Sequence, residues 1–257
     1  MHTARVALVT GAGNLKGIGR GVVQRLSEAG VDVVVNYLSE DDDHVQVVEE
    51  VRTLGRRALA VRADLTSKDQ IRSMFREIEN TFGRLDILVN NAGRCVWEKA
   101  VDITPLGMNQ IIDVNVRGTI ECSREAARLM IANGRGGRIV NICSLQSKRP
   151  TPSMSVYSAS KAGIDHLTQS LALALARHRI TVNQVWPGFV DTDINGSKPE
   201  LNTSDARERF LETIPAGRCA TPKDLGEAVA YFCRDDADVV TGATLKVDGG
   251  AFIRCLQ

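Results

Sequence analysis

The chain has 257 residues, 43% of them hydrophobic and 22 of them glycine, so it can bury a large core without disulfide or metal staples. Its 32 Lys and Arg against 31 Asp and Glu leave a formal charge of +1, without the lopsided charge of a nucleic-acid groove or an acidic tail. No apolar run approaches the roughly 18 to 20 residues that span a bilayer, and Met1 to Arg5 lead straight into a strand-like run without a signal-peptide pattern. The expectation is a cytoplasmic protein that binds neither nucleic acid nor membrane.

In chain order, apolar β-branched runs fall at Val6 to Thr10, Val31 to Tyr37, Ala58 to Ala63, Leu85 to Asn90, Arg138 to Cys143, Ile180 to Trp186 and Ala243 to Val247. Helical-length segments separate them, such as Gly19 to Ala29 and Ile71 to Phe82, the latter with Ser67 as its cap. Gly30, Gly55 and Gly83 each follow a helical stretch and precede the next strand. Asp41-Asp42-Asp43 reads as a helix N-terminus, where acids suit the dipole. Strand and helix alternating in this way predict one regularly wound α/β domain, residues 1–257: a parallel sheet of about seven strands with helices on both faces. Asp193 to Thr213 is polar and without a strand, and is expected to cover a pocket as a substrate lid. The six cysteines show no C-x-x-C and the four histidines no H-E-x-x-H, so the thiols read as reduced and no metal site is expected.

Chemistry concentrates in four places. Thr10-Gly11-Ala12-Gly13-Asn14-Leu15-Lys16-Gly17-Ile18-Gly19 joins the first strand to the first helix, where glycines let backbone N–H groups approach a pyrophosphate. Tyr157 and Lys161 sit one helical turn apart, and an ammonium beside a phenol is expected to lower the phenol's pKa. Ser144 stands at the carboxyl end of the fifth strand, where its hydroxyl either caps the strand or donates to a substrate carbonyl. Asn115, in Asp113-Val114-Asn115-Val116-Arg117-Gly118, is a poor helix former inside a long helix, and is either a small defect or a functional kink.

These pieces in this order resemble a short-chain dehydrogenase/reductase from Thr10 to Gly250. The same order holds Asp64 after the third strand, Asn90-Asn91-Ala92-Gly93 after the fourth, Pro187-Gly188 with Thr192 after the sixth, and Thr241-Gly242 through Val247-Asp248-Gly249-Gly250. The resemblance implies a Rossmann-like doubly wound sheet and a catalytic tetrad of Asn115, Ser144, Tyr157 and Lys161. In that tetrad Tyr157 moves the proton, Ser144 polarises the carbonyl, Lys161 binds the nicotinamide ribose and tunes Tyr157, and Asn115 holds a water on the proton path. It also implies NAD(P) contacts at Gly11, Asn14, Lys16, Gly17, Ile18, Gly19, Asn36, Asp64, Leu65, Asn91, Ala92, Gly93, Pro187, Gly188, Val190 and Thr192, besides Tyr157 and Lys161. Asp64 would meet the adenine and Thr192 the carboxamide.

The implied reaction interconverts a secondary alcohol and a ketone by hydride transfer. The tract from Ser144 to Pro150, with Asp191 to Asn195 and Ile214 to Gly217, resembles both bacterial glucose 1-dehydrogenases and 3-oxoacyl-carrier-protein reductases, so a sugar or polyol, a 3-oxoacyl group or another small carbonyl stays open as substrate. Gln146 could face a polyol and Arg149 an acidic substrate, while Trp97 and Trp186 read chiefly as structure. One departure concerns the glycine loop, which has five residues between Gly11 and Gly17, two more than the family pattern. With no acid at Asn36-Tyr37-Leu38-Ser39 and Lys16 in the lengthened loop, NADP(H) is expected over NAD(H). The family further implies a homotetramer, with Ala126, Ala127, Ala172 and Ala174 allowing close helix approach between subunits. A nucleotide-sensing regulator on the same scaffold would not need Ser144, Tyr157 and Lys161 together, and a sugar-nucleotide epimerase would need a larger C-terminal region.

Overall fold

The computed structural model describes residues 4–192 and 204–254. Its strands are β1 (Val6–Val9), β2 (Asp32–Tyr37), β3 (Ala58–Arg62), β4 (Ile87–Asn90), β5 (Gly137–Ile142), β6 (Ile180–Pro187) and β7 (Thr244–Val247). They form one parallel sheet in the order β3-β2-β1-β4-β5-β6-β7. The seven predicted runs and these strands agree to within two residues at each end.

Strand residues point alternately to two faces, and both faces are apolar because both are covered. Ala7, Val9, Val33, Val35, Ile87 and Val89 meet α1 (Ile18–Glu28), α2 (His44–Thr53) and α8 (Pro222–Phe232) through Val22, Leu26, Val47, Val51, Leu225 and Phe232. Val6, Leu8, Val34, Leu88 and Ile139 meet α3 (Lys68–Phe82), α5 (Thr119–Asn133) and α6 (Ser155–Leu175) through Ile71, Ile78, Met130 and Ala172. Ser67 caps α3 by accepting from the Gln70 amide, and Gly30, Gly55 and Gly83 all take positive φ at their helix ends.

The winding reverses between β1 and β4, so the loops leaving their carboxyl ends diverge and open a crevice there. Between α4 (Pro105–Ile112) and α5 the helix widens into a π turn, Asp113–Gly118, so the helix is irregular at Asn115, where a poor helix former stands.

Two expectations gain detail and one changes. The acidic triplet stands at the N-terminus of α2 as expected, with Asp43 in the cap position though without a side-chain cap bond, and the Asp42 carboxylate accepts the Leu38 and Ser39 amides at 3.1 Å each in the loop after β2. The 193–213 segment, expected as a lid, holds a helix in its second half, α7 (Ser204–Glu212), whose Phe210 packs edge-on against Phe189 at 4.3 Å; residues 193–203 lie outside the described residues. Ala126, Ala127 and Ala172 are buried, Ala126 and Ala172 within the chain's own core, leaving Ala174 alone of the four exposed.

Candidate active site

The crevice is built by two asparagines and a threonine that tie loop to loop, with two more asparagines beneath them. The Thr10 hydroxyl oxygen accepts the amides of Asn91 and Ala92 at 3.0 Å each, while the Asn91 side chain donates to the Thr10 and Gly11 carbonyls at 2.8 and 3.0 Å. These bonds hold the loop after β1 against the loop after β4. Asn36 accepts the Gly11 amide at 3.1 Å and donates to the Ala63 carbonyl at 3.1 Å, fastening the loops after β2 and β3 to the same glycine. Asn90, buried below, donates to Ser123 and to Asn141, which donates in turn to Thr168, so α5 and α6 are locked to β4 and β5. Gly11 has φ +61°, and a Cβ there would stand 2.8 Å from Ala92 Cα, so only glycine suits this approach.

At the other end of the crevice Ser144, Tyr157 and Lys161 converge. Ser144 leaves β5 in an extended conformation; its Oγ accepts the Gln146 amide at 3.1 Å, and its side chain hydrogen-bonds Tyr157. Tyr157 and Lys161 share one face of α6, the Lys161 Nζ 5.6 Å from the centre of the tyrosine ring. That ammonium donates to the Ile142 carbonyl at 2.9 Å. The expected depression of the Tyr157 pKa is not what the resting site does. Burial pushes the phenol well above its usual range, with the Ser144 hydrogen bond opposing it, and burial draws Lys161 downward. The cation is turned to a backbone carbonyl and is itself disfavoured by desolvation.

Asn115 is buried behind the crevice. Its amide donates to the Arg94 carbonyl at 2.9 Å and to Ser160 Oγ at 3.1 Å, and its oxygen accepts the Arg94 amide at 2.7 Å. Ser160 donates to the Tyr157 carbonyl at 2.7 Å, so Asn115 braces both the loop after β4 and the turn of α6 that carries the tyrosine.

A cavity of about 630 Å³ follows the carboxyl edge of the sheet from Leu38 and Asp42 to Tyr157 and Thr192. Of the expected cofactor contacts, Gly11, Asn14, Gly17, Ile18, Asn36, Asp64, Leu65, Asn91, Ala92, Gly93, Pro187, Gly188, Val190 and Thr192 line it, as do Ser144, Tyr157 and Lys161. Lys16, Gly19 and Asn115 do not: Lys16 is exposed with its amide on Asn14 Oδ1, and a Cβ on Gly19 would meet Ala12 and Asn91 at 2.8 Å, which marks it as a packing glycine. Arg94, Cys95, Cys143 and Asp42 also line the cavity. Sequence reasoning passed over them, since each gains its place only through the folding of its loop. Gln146 turns its carbonyl to the Thr151 amide and Ser158 hydroxyl, Arg149 donates to the Ala251 and Phe252 carbonyls, and Trp186 is buried beside Phe252, so these three act structurally.

One ion pair fixes the serine loop to the tyrosine helix. Lys148 Nζ lies 2.9 Å from Asp165, whose side chain is 3% exposed, one turn beyond Lys161. Burial tends to raise this carboxyl, but Lys148 and Gln184 outweigh it and hold the pKa below the usual range. Stability from the pair is therefore present above the unfolded carboxyl pKa and lost as pH falls through the folded one. Lys148→Met is expected to cost about 1 to 2 kcal/mol at neutral pH, less than a fully buried pair because Lys148 is half exposed. In urea melts the difference should close in acid; a pH-independent difference would show that the charge is not its source.

The crevice fits a dinucleotide. Helix α1 begins at Gly17 without a side-chain cap or an acid in its first turn, leaving its N–H groups for an anion, and the Gly11 approach keeps the backbone low beneath the cavity. Fold and site together define an open α/β oxidoreductase of the dinucleotide-dependent class. The family model described as enoyl-(acyl carrier protein) reductase matches residues 11–251. The 3-oxoacyl-[acyl-carrier-protein] reductase of Staphylococcus aureus is 34% identical over 253 residues, 98% of this chain and all of that protein. Acetoin dehydrogenase from Enterobacter cloacae superposes with a TM-score of 0.89 at 36% identity, covering 100% of this chain and 99% of its own. A gluconate 5-dehydrogenase from Burkholderia cenocepacia, in complex with NADP and tartrate, does so at 0.89 and 32%, covering 98% and 96%. The chain belongs to the short-chain dehydrogenase/reductase family and is an NAD(P)-dependent oxidoreductase acting on CH–OH groups.

Proposed function

We propose that Tyr157 is the acid and base, Ser144 the carbonyl partner and Lys161 the ribose anchor in the interconversion of a small secondary alcohol and its ketone, with NADP(H) preferred over NAD(H). The convergence of these three side chains on one wall of the cavity carries the reading. When bound, the nicotinamide supplies or takes the hydride. Tyr157 Oη gives a proton to the carbonyl oxygen in reduction and takes one from the hydroxyl in oxidation, while Ser144 hydrogen-bonds the same oxygen. Lys161 uses one of its three donors on Ile142 and keeps two for the ribose hydroxyls. Asn115 acts through the segments it braces. Sugar acids, hydroxyketones such as acetoin and 3-oxoacyl groups are the substrates to try first, as the related enzymes named above suggest, with polyols after them. A screen of alcohols and ketones followed at the nicotinamide absorbance tests the reading, and a folded enzyme that binds NADP(H) but turns over none of them would count against it.

The same reading includes a homotetramer in the cytoplasm. Leu106, Met108, Ile120, Ile131 and Leu173 on α4, α5 and α6 are exposed apolar side chains that such an assembly would cover. The thiols of the buried Cys122, Cys143 and Cys233 suit a reducing compartment. Among the described residues no helix is long and apolar enough to cross a membrane. Light scattering at micromolar concentration should give about four times the chain mass; a monomer would exclude the assembly.

A further inference from the structure

The two ends of the cavity differ in charge. Its lining acids, Asp42 and Asp64, stand at the β2 and β3 end, away from the reacting groups. The other end holds Arg94 and Lys161 and no lining acid among the described residues. Lys161 is buried and turned to the Ile142 carbonyl. Arg94 is exposed, and both of its backbone polar groups are taken by Asn115, so its side chain is the part it presents. The position is fixed closely. A Cβ on the preceding Gly93 would stand 3.5 Å from Asn115 Oδ1 and 3.7 Å from Lys161 Nζ, so Arg94 leaves the chain next to the reacting end. The guanidinium makes no ion pair among the described residues.

Resting on the alcohol–ketone reading above, we propose that Arg94 binds an oxyanion carried by the substrate, a carboxylate or a phosphate, so that the substrate class is anionic hydroxy and keto compounds. A planar guanidinium forks onto either group, and its anchored main chain leaves little beyond side-chain freedom to be lost on binding. Among the described residues the cavity supplies no competing carboxylate at this end, whereas an uncharged substrate would leave the cation to solvent alone.

The test compares ketones that differ only in the anion: acetoacetate against methyl acetoacetate, and dihydroxyacetone phosphate against dihydroxyacetone, each reduced with NADPH. At least one charged member should exceed its neutral partner in kcat/KM by about tenfold or more, and the pair that does so tells carboxylate from phosphate. Arg94→Gln should remove that selectivity and Arg94→Lys restore part of it. Calorimetric titration of the NADP⁺-loaded enzyme with malonate and with inorganic phosphate gives a readout without turnover, expected to weaken about tenfold in Arg94→Gln. Failure of every ketone to react, with an Arg94-dependent anion affinity intact, would strike the alcohol–ketone reading and leave the anion site standing. Anion affinities that ignore Arg94, or a charged-to-neutral ratio near one that Arg94→Gln leaves unchanged, would overturn the proposal.

Discussion

Tyr157→Phe is expected to fold, to bind NADP(H) nearly as tightly as the parent, and to lose about 10²- to 10⁴-fold in turnover, the usual worth of a positioned general acid. The substitution removes one oxygen and little packing volume, and the ring keeps its place beside Lys161. Because Asn115 and Ser160 grip the backbone at Arg94 and Tyr157 rather than the phenol, the frame of the site should survive the change. Far-ultraviolet circular dichroism and cofactor fluorescence control for folding and binding, and near-parental turnover in a folded variant would sink the mechanism. The raised pKa adds a sign. A phenol held above its usual range is protonated throughout neutral pH, which suits it to give a proton during ketone reduction. It must lose that proton to act as a base, so alcohol oxidation should rise toward alkaline pH while ketone reduction stays flat near neutrality. Rate profiles in both directions check this, and an oxidation rate indifferent to pH would move the base role to another group.

The framework was legible because its causes are local. Two apolar faces on the central strands point to a sheet covered twice, and strands too far apart for hairpins point to parallel pairing. Tyr157 and Lys161 were visible through helical spacing, and Asn115 through its poor fit to a helix interior. The loops were less legible, since their geometry comes from long-range bonds. Asn36 lies 25 residues from the glycine it holds, and Asn91 lies 81 from Thr10. Asp42 looked like one acid among three before a helix, yet the fold-back after β2 makes its carboxylate the acceptor of two loop amides and part of the cavity wall. Lys161 read as the partner of a phenol because spacing shows proximity; the Ile142 carbonyl that accepts its hydrogen bond comes from a neighbouring strand 19 residues earlier. Arg94 after a glycine reads as any solvated arginine until Asn115 is seen gripping its main chain.

The proposed preference for NADP(H) rests on two charges, Lys16 and Asp42, at the β2 end of the crevice. Steady-state kinetics are expected to favour NADP(H) over NAD(H) by about tenfold, to lose most of that preference in Lys16→Ala and to gain more of it in Asp42→Asn. The Asn36 side chain is engaged with Gly11 and Ala63, so the end of β2 offers no carboxylate to grip a ribose 2′-hydroxyl. Lys16 stands exposed in the lengthened loop, and one charge-assisted contact to phosphate contributes about 1.5 to 3 kcal/mol, or roughly 10- to 150-fold at about 1.4 kcal/mol per decade. Solvent screening of an exposed side chain selects the lower end of that range. Asp42 works in the opposite direction. Its carboxylate lines the cavity and would repel a 2′-phosphate, though the Leu38 and Ser39 amides that donate to it offset part of its charge. Removing that charge while keeping an oxygen for the two amides, as Asp42→Asn does, should therefore raise selectivity without opening the loop. A parent enzyme that prefers NAD(H) would give Asp42 the deciding role, and a preference for NADP(H) indifferent to Lys16→Ala would take the phosphate away from the lengthened loop altogether.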